Sequence, residues 1–149
     1  MQIITAGRFR FMEIKRFKTL LKQNGHFVTK PRLRLFAILQ KRPALTLQQL
    51  IKLSPQHDQV TVYRNIDLFE KLGIINRLRL GWYTKIELSD VFIHHHHHFS
   101  CLKCGRVITL PEDPVIEQRI TRLGVNKHFK SMDHQLEIRG YCQICSNRQ

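Results

Sequence analysis

The sequence predicts an α+β protein in which several short helices and a β-hairpin precede a smaller α/β unit. Apolar residues recur at helical spacing up to Gly73, and two alternating β-runs then flank Gly81. Beyond residue 93 the pattern changes to short strands, one helix and two Cys-x-x-Cys pairs. Helices followed by a hairpin are the order of a winged helix-turn-helix.

The first two helices are predicted from apolar spacing and from end signals. Residues 1–11 show no clear period and are expected to form a flexible extension. A helix is predicted from Met12, with Gly25 as its C-terminal stop. Thr29 followed by Pro31 predicts the start of a second helix that the threonine hydroxyl caps.

Two further helices follow. Thr46 and Gln49 have the spacing of a capping box, which predicts a short helix through Leu53. Asp58 can cap the next helix, which stops at Gly73. Four apolar positions of this helix, spaced four, three and three residues apart, are expected to face a core. They are Val62, Ile66, Phe69 and Leu72.

The opposite face of that helix carries side chains that can read DNA in the major groove, since they combine hydrogen-bonding groups, an aromatic ring and a cation. A solvated helix face would look similar, so this stretch alone leaves both interpretations open. Basic residues of the second helix and of the hairpin have the same ambiguity. The candidate contacts are Lys30, Arg32, Thr61, Tyr63, Arg64 and Asn65, with Arg77, Arg79 and Lys85 in the hairpin.

The charge favours a polyanionic partner. The net charge is +14, and residues 1–93 carry 17 Lys/Arg against 6 Asp/Glu, whereas residues 94–149 carry 8 against 5. Such an excess favours nucleic acid through counterion release. No apolar run approaches the roughly 20 residues of a bilayer span, and no export signal is readable. We therefore expect a cytoplasmic protein without a membrane partner.

The four cysteines form two Cys-x-x-Cys pairs, Cys101/Cys104 and Cys142/Cys145. Structural disulfides are disfavoured in a reducing compartment, and the two-residue spacing lets both sulfurs face a zinc ion about 2.3 Å away. Four thiolates leave no open coordination position, so the expected zinc is structural. The alternative is a redox-active pair, but no βαβ pattern precedes either pair.

Five consecutive histidines, His94–His98, precede the first cysteine pair. An affinity tag would sit at a terminus, whereas this run is internal. In an extended strand, alternate side chains point to opposite faces, so His96 and His98 would face away from His95 and His97. One strand could then serve two sites for Zn, Fe, Ni or Cu. A metallohydrolase is disfavoured because no His-Glu-x-x-His helix is present. We expect neither enzymatic activity nor a small-molecule substrate.

Four segments together resemble the ferric uptake regulator family, and the resemblance covers about residues 13–146. TVYR combined with a histidine run before Cys-x-x-Cys is specific to this family. The segments are GHFVTKPRLRLFAIL from Gly25, TVYRNIDLFEKLGI from Thr61, HHHHHFSCLKCGRVI from His94 and HQLEIRGYCQIC from His134.

The resemblance implies a metal-dependent repressor of metal-homeostasis genes. It implies a winged-helix DNA-binding domain over residues 1–88, a hinge over 89–93 and a metal-binding dimerisation domain over 94–149. The homodimer would bind a palindromic double-stranded DNA operator, with Tyr63 and Arg64 on the recognition helix. Fe(II) or Zn(II) would load the sensing site, and Mn(II) is a further candidate. The alternatives are a peroxide-sensing member and a zinc-ribbon nucleic-acid-binding protein without metal sensing.

The resemblance also implies three metal sites. Structural zinc would bind Cys101, Cys104, Cys142 and Cys145. The hinge (sensing) site would use Glu87, His96 and His98. A second site inside the dimerisation domain would use His95, His97, Glu117 and His134. Iron- and peroxide-sensing members usually supply a further hinge histidine where Ala44 stands here, and Asp90 or His57 is the candidate substitute.

Overall fold

The computed structural model describes residues 6–42, 44–80, 83–130 and 134–147. The chain divides into two compact units. The first runs to Arg79 and takes in Thr84–Ile93, and the second takes in the hairpin end and the residues from His94 onward. Among the described residues, no helix is long and apolar enough to cross a bilayer. The predicted α+β class is confirmed.

The first unit has the predicted order of helices followed by a hairpin. A single bridge joins Leu45 to Ile86 of the hairpin, with N···O distances of 2.9 and 2.7 Å in the two directions. This arrangement is a winged helix-turn-helix. Its elements are α1 (Ala6–Gln23), α2 (Lys30–Gln40), α3 (Leu47–Lys52), α4 (Gln59–Lys71), β1 (Ile75–Leu80) and β2 (Tyr83–Leu88).

Most of the predicted end signals are present. Gly25 and Gly73 end their helices at φ values of +75° and +64°, where a side chain would be strained. The capping box of α3 is formed by Thr46 and Gln49. Asp58 Oδ1 accepts from the backbone N–H of Thr61 at 2.8 Å.

Two expectations for the first helices are wrong. The helix α1 begins at Ala6 rather than Met12, because extending a helix that is already nucleated adds one hydrogen bond per residue and needs no apolar repeat. The predicted extension is thus helical from Ala6, and residues 1–5 lie outside the described part. Thr29 occupies the N-cap of α2 without a side-chain hydrogen bond. Pro31 supplies no N–H at the second helical position, so one of the two donors that a cap uses is missing.

Aromatic rings form the centre of the first unit. The Phe17 and Phe36 rings stack with centroids 4.2 Å apart, and Phe69 meets Phe17 edge-on at 5.3 Å. Phe92, in the segment expected to be a hinge, meets Phe36 edge-on at 5.1 Å. Ser89 Oγ also donates to the Gly73 carbonyl at 2.6 Å. The 89–93 segment therefore packs on the first unit.

The second unit is built on a three-stranded sheet of β3 (His96–Cys101), β4 (Val107–Pro111) and β5 (Glu137–Gly140), in the order β4-β3-β5. The central strand pairs antiparallel with β4 and parallel with β5. The histidine run therefore enters the middle of a sheet rather than an edge. The helix α5 spans Pro114–Val125, and α6 spans Gln143–Ser146.

The second unit has almost no apolar core among its described residues. Its fully buried side chains are two cysteines and polar residues, and α5 buries none of its side chains. Phe99 pairs with Ile108 on one side and with Ile138 on the other. These three side chains share one sheet face and are 40%, 45% and 41% exposed. Apolar burial within the described residues therefore contributes little to the stability of this unit, and contacts of another kind must stabilise it.

Candidate metal centres and recognition helix

The four cysteines form one cluster at the end of the sheet, here called the cysteine cluster. Cys101 ends β3, Cys104 lies in the following turn, Cys142 follows β5 and Cys145 lies in α6. Their sulfur atoms all lie within 4.8 Å of one another, and Cys104 Sγ is 3.7 Å from Cys142 Sγ. Sulfurs around a tetrahedral zinc with 2.3 Å bonds are about 3.8 Å apart. The cluster fits a zinc site.

The electrostatics of the cluster also favour a cation. The N–H of Cys142 donates to Cys101 Sγ at 3.4 Å, and with amides of the Cys101 turn it lowers the pKa of that thiol to about 6. Burial, together with the neighbouring sulfurs, raises the pKa of the Cys145 thiol to about 12. Four adjacent thiolates are unfavourable without a counter-charge, and a divalent cation supplies it.

A second group, here called the histidine–glutamate cluster, lies between β3 and α5. Glu117 Oε1 is 2.8 Å from His97 Nε2 and 3.9 Å from His95 Nε2, while its Oε2 is 3.3 Å from His134 Nε2. His95 Nε2 and His134 Nε2 are 3.2 Å apart. One carboxylate and three imidazoles thus converge on one point, a donor set that suits Zn or Fe.

His97 is the buried member of this cluster. It is 1% exposed, and its Nδ1 has no hydrogen-bond partner among the described residues. Buried polar nitrogens normally have a partner. The nitrogen that faces the cluster is Nε2, 2.8 Å from Glu117 Oε1, so the unsatisfied Nδ1 is a separate feature of this ring.

The other histidines of the run lie on the opposite face of β3. The rings of His96 and His98 are 4.8 Å apart, and His96 Nδ1 lies 2.9 Å from the His94 carbonyl oxygen. The alternation expected of an extended strand is thus present. Glu87, buried at the end of β2, belongs to the first unit, so a hinge site that joins it to these histidines stays a prediction. Ala44 is buried and has no ligand atom, while Asp90 is exposed and His57 is half-buried.

The helix α4, the candidate recognition helix, exposes fewer of the predicted contacts than expected. Tyr63 is 45% exposed and Arg64 is also exposed. Thr61 is half-buried, and its hydroxyl donates to Asp58 Oδ2 at 2.6 Å. Lys30, at the start of α2, is exposed. These positions leave Tyr63, Arg64 and Lys30 as the accessible candidates.

The expectation that Asn65 faces outward is wrong. Asn65 is 9% exposed, its Oδ1 accepts from Arg32 Nε at 3.1 Å and its Nδ2 donates to the Thr61 carbonyl at 2.7 Å. Arg32 also donates through Nη1 to the Phe27 carbonyl. The helical spacing already indicated burial, since Asn65 stands three residues after Val62 and four before Phe69, but its partner is 33 residues away in the chain.

Two of the predicted hairpin contacts have other surroundings than expected, since Arg77 is exposed but paired with carboxylates and Lys85 is buried. Arg77 donates through Nη2 to Asp67 at 2.7 Å and through Nε to Glu70 at 2.6 Å, so it fastens β1 to α4. Lys85 is 8% exposed and Arg79 is exposed. The sequence could have suggested these ion pairs, because Asp67 and Glu70 lie on the helix that directly precedes β1.

Comparisons with known proteins identify related sequences and structures. The sequence profile of the ferric uptake regulator family matches residues 23–139. The ferric uptake regulation protein of Legionella pneumophila is 34% identical over 132 residues, covering 84% of this chain and 95% of that protein. The ferric uptake regulator structure from Vibrio cholerae is 33% identical with a TM-score of 0.71, covering 84% of this chain and 98% of that chain. The Francisella tularensis regulator structure with iron is 30% identical with a TM-score of 0.69, covering 82% of this chain and 96% of that chain.

Proposed function

This chain belongs to the ferric uptake regulator family, and from that premise we propose that it is a metal-dependent repressor that binds a palindromic DNA operator as a homodimer. The observation that carries the proposal is the histidine–glutamate cluster. It is a second ligand set beside the cysteine cluster, in a unit that follows a winged helix. A protein with structural zinc alone would need no such set.

The cysteine cluster is proposed to hold structural zinc, since its donors are four sulfurs at tetrahedral spacing. Zinc would supply a cross-link between the end of β3 and α6. Because the described part of this unit buries almost no apolar side chain, that cross-link would contribute much of its stability.

A homodimer is supported by the apolar row Phe99, Ile108 and Ile138. Three large side chains in register on one sheet face are an apolar patch that a monomer seldom exposes. Tyr141, which follows β5, is 51% exposed and extends the patch. We propose that a second copy of the chain covers this face, with residues 94–149 as the dimerisation domain.

Operator recognition is proposed to use Tyr63 and Arg64 of α4, with Lys30 on the phosphate backbone. Both helix residues are exposed on a capped helix of a winged helix-turn-helix, the element that enters the major groove in this class. Arginine can bind guanine through two hydrogen bonds, and a tyrosine ring can contact a thymine methyl group.

Metal dependence is proposed to arise from linkage. Glu87 lies near the end of β2 in the first unit, and His96 and His98 lie in β3 of the second. A metal held by these three residues would restrain the angle between the two units. A metal that binds the DNA-competent arrangement better shifts the population toward it. Fe(II) and Zn(II) are the proposed ions, with Mn(II) as a further candidate, since the related Francisella protein was solved with iron.

The experiment is a metal titration of operator binding. A duplex enriched by the protein from a random library would be labelled, and its affinity measured by anisotropy with Zn(II), Fe(II) or Mn(II) and after mild chelation. We expect chelation to weaken binding at least about tenfold, a coupling of about 1.4 kcal/mol. Elemental analysis should show one zinc per chain retained in the cysteine cluster.

Matched variants of the histidine run sharpen the test. His98→Ala should abolish most of the metal response, whereas His94→Ala, outside both ligand sets, should retain it. Equal affinity of the loaded and chelated protein would refute metal sensing and would favour a zinc-ribbon DNA-binding protein without it.

A further inference from the structure

Two residues that the sequence suggested as DNA contacts form a hydrogen-bonded bridge inside the first unit. Arg32 lies in the first turn of α2, and Asn65 lies in the middle of α4. Arg32 Nε donates to Asn65 Oδ1 at 3.1 Å, and its Nη1 donates to the Phe27 carbonyl in the loop before α2. One guanidinium therefore connects this loop, α2 and the recognition helix.

Both polar atoms of the Asn65 side-chain amide form hydrogen bonds within the protein. Its Oδ1 accepts from Arg32, and its Nδ2 donates to the Thr61 carbonyl one turn earlier at 2.7 Å. Reading an adenine would need both of these groups at once. With only 9% of its surface exposed, Asn65 is part of the helix packing rather than of the reading face.

The bridge restrains the orientation of α4 on α2, which apolar contacts alone do not fix. Phe36 of α2 and Phe69 of α4 are fully buried, and such burial is favourable but non-directional. Hydrogen bonds have narrow angular ranges, so the Arg32 fork limits rotation and sliding of α4. Asn65 directly follows Arg64, so a small rotation of α4 at this point would move the reading residues.

We propose that Arg32 and Asn65 are positioning residues, which fix α4 on α2 and so raise sequence-specific DNA affinity without contacting bases. The proposal rests on the DNA-binding function proposed above. Lysine cannot replace Arg32, because a single ammonium group on a flexible stem lacks the planar fork that bonds Phe27 and Asn65 together.

The test compares specific with non-specific binding of the metal-loaded protein. The probes are the duplex enriched by the wild type from a random library and a scrambled duplex of the same composition. Arg32→Lys keeps the charge, and Asn65→Ala removes the acceptor. Each should lose about tenfold on the enriched duplex and change less than about twofold on the scrambled one, because non-specific affinity depends on charge.

Salt dependence separates positioning from phosphate binding. A lost phosphate contact lowers the slope of log K against log salt by about 0.9. We expect that decrease for Lys30→Ala, the exposed control, and an unchanged slope for Asn65→Ala and Arg32→Lys. The proposal is overturned if Arg32→Met loses affinity equally on both duplexes with a reduced slope while Arg32→Lys binds like the wild type.

A folding measurement tests the bridge without DNA. Urea denaturation of the wild type, Arg32→Lys, Asn65→Ala and the double variant should show that the two substitutions together destabilise less than the sum of the single ones. Additive losses would overturn the bridge. If the wild type enriches no duplex, the DNA-binding function itself fails and this proposal fails with it, and the folding cycle then reports whether the bridge exists as a purely structural contact.

Discussion

Replacing Cys145 with serine removes one sulfur from the cysteine cluster and leaves the backbone of α6 almost unchanged. Structural zinc sites contribute roughly 10–16 kcal/mol at neutral pH, so an equal share per ligand is about 2.5–4 kcal/mol. A neutral hydroxyl replaces little of this share. We therefore expect zinc affinity to fall by about two to three orders of magnitude.

The effect on folding should be confined to the second unit. A core side chain such as Phe36 contributes about 1.5–3 kcal/mol through burial. In the described residues of the second unit, the apolar side chains are at least partly exposed, apart from Cys101 and Cys145. No apolar core in the described part of this unit replaces a lost zinc. The first unit keeps its aromatic core and should remain folded.

Hydrogen exchange read by mass spectrometry measures this outcome by region, and elemental analysis of the same samples gives the zinc content. After dialysis against a chelator, Cys145→Ser should lose zinc and amide protection in β3 and β5, while protection in α2 and α4 is unchanged. Ser146→Ala is the matched control, since it alters the same helix and leaves four thiols. Loss of zinc with full protection in β3 and β5 would refute the reasoning.

Two other substitutions test the second metal set and the first core. Glu117→Gln should weaken zinc binding at the histidine–glutamate cluster at least about tenfold, as measured by calorimetry, because the two Glu117 oxygens contact three imidazoles. The control Glu112→Gln, which alters a carboxylate before α5, should leave the zinc affinity unchanged. Equal affinities in these two variants would contradict a metal at this cluster. Phe36→Ala should lower the free energy of unfolding by about 3–5 kcal/mol in urea, because a fully buried ring leaves a cavity. Phe27 is 84% exposed, so Phe27→Ala should change the free energy of unfolding by no more than about 0.5 kcal/mol. Similar losses of stability in Phe36→Ala and Phe27→Ala would refute this account of the core.

The features that the sequence predicted well depend on neighbours in the chain. The stop at Gly73, the cap at Asp58 and the alternation of the histidines follow from backbone geometry over a few residues. The two Cys-x-x-Cys pairs are likewise local, and the structure brings them together in one cluster.

The features that it missed depend on distant partners. Asn65 stands three residues after Val62 and four before Phe69, which is the helical phase of the buried face, but its hydrogen-bond partner Arg32 lies in another helix. Glu117 entered only through the family resemblance, because its role depends on how α5 lies against β3. The row of Phe99, Ile108 and Ile138 alternates like core residues, and apolar alternation does not distinguish a core from a surface awaiting a partner.

The histidine run cannot specify its own register. If β3 slipped so that every position received the preceding residue, His94–His97 would replace His95–His98, and all four ligand positions would still hold histidine. The same slip would put Ser100 in place of Cys101 and Phe99 on the polar face. The register of β3, and with it the face on which each histidine lies, is therefore fixed by Phe99 and Cys101, which follow the run and belong to other sites. With the register held from that side, a one-residue deletion in the run would leave histidine at all four ligand positions, and its effect would appear upstream of the strand, where Ile93 would replace His94.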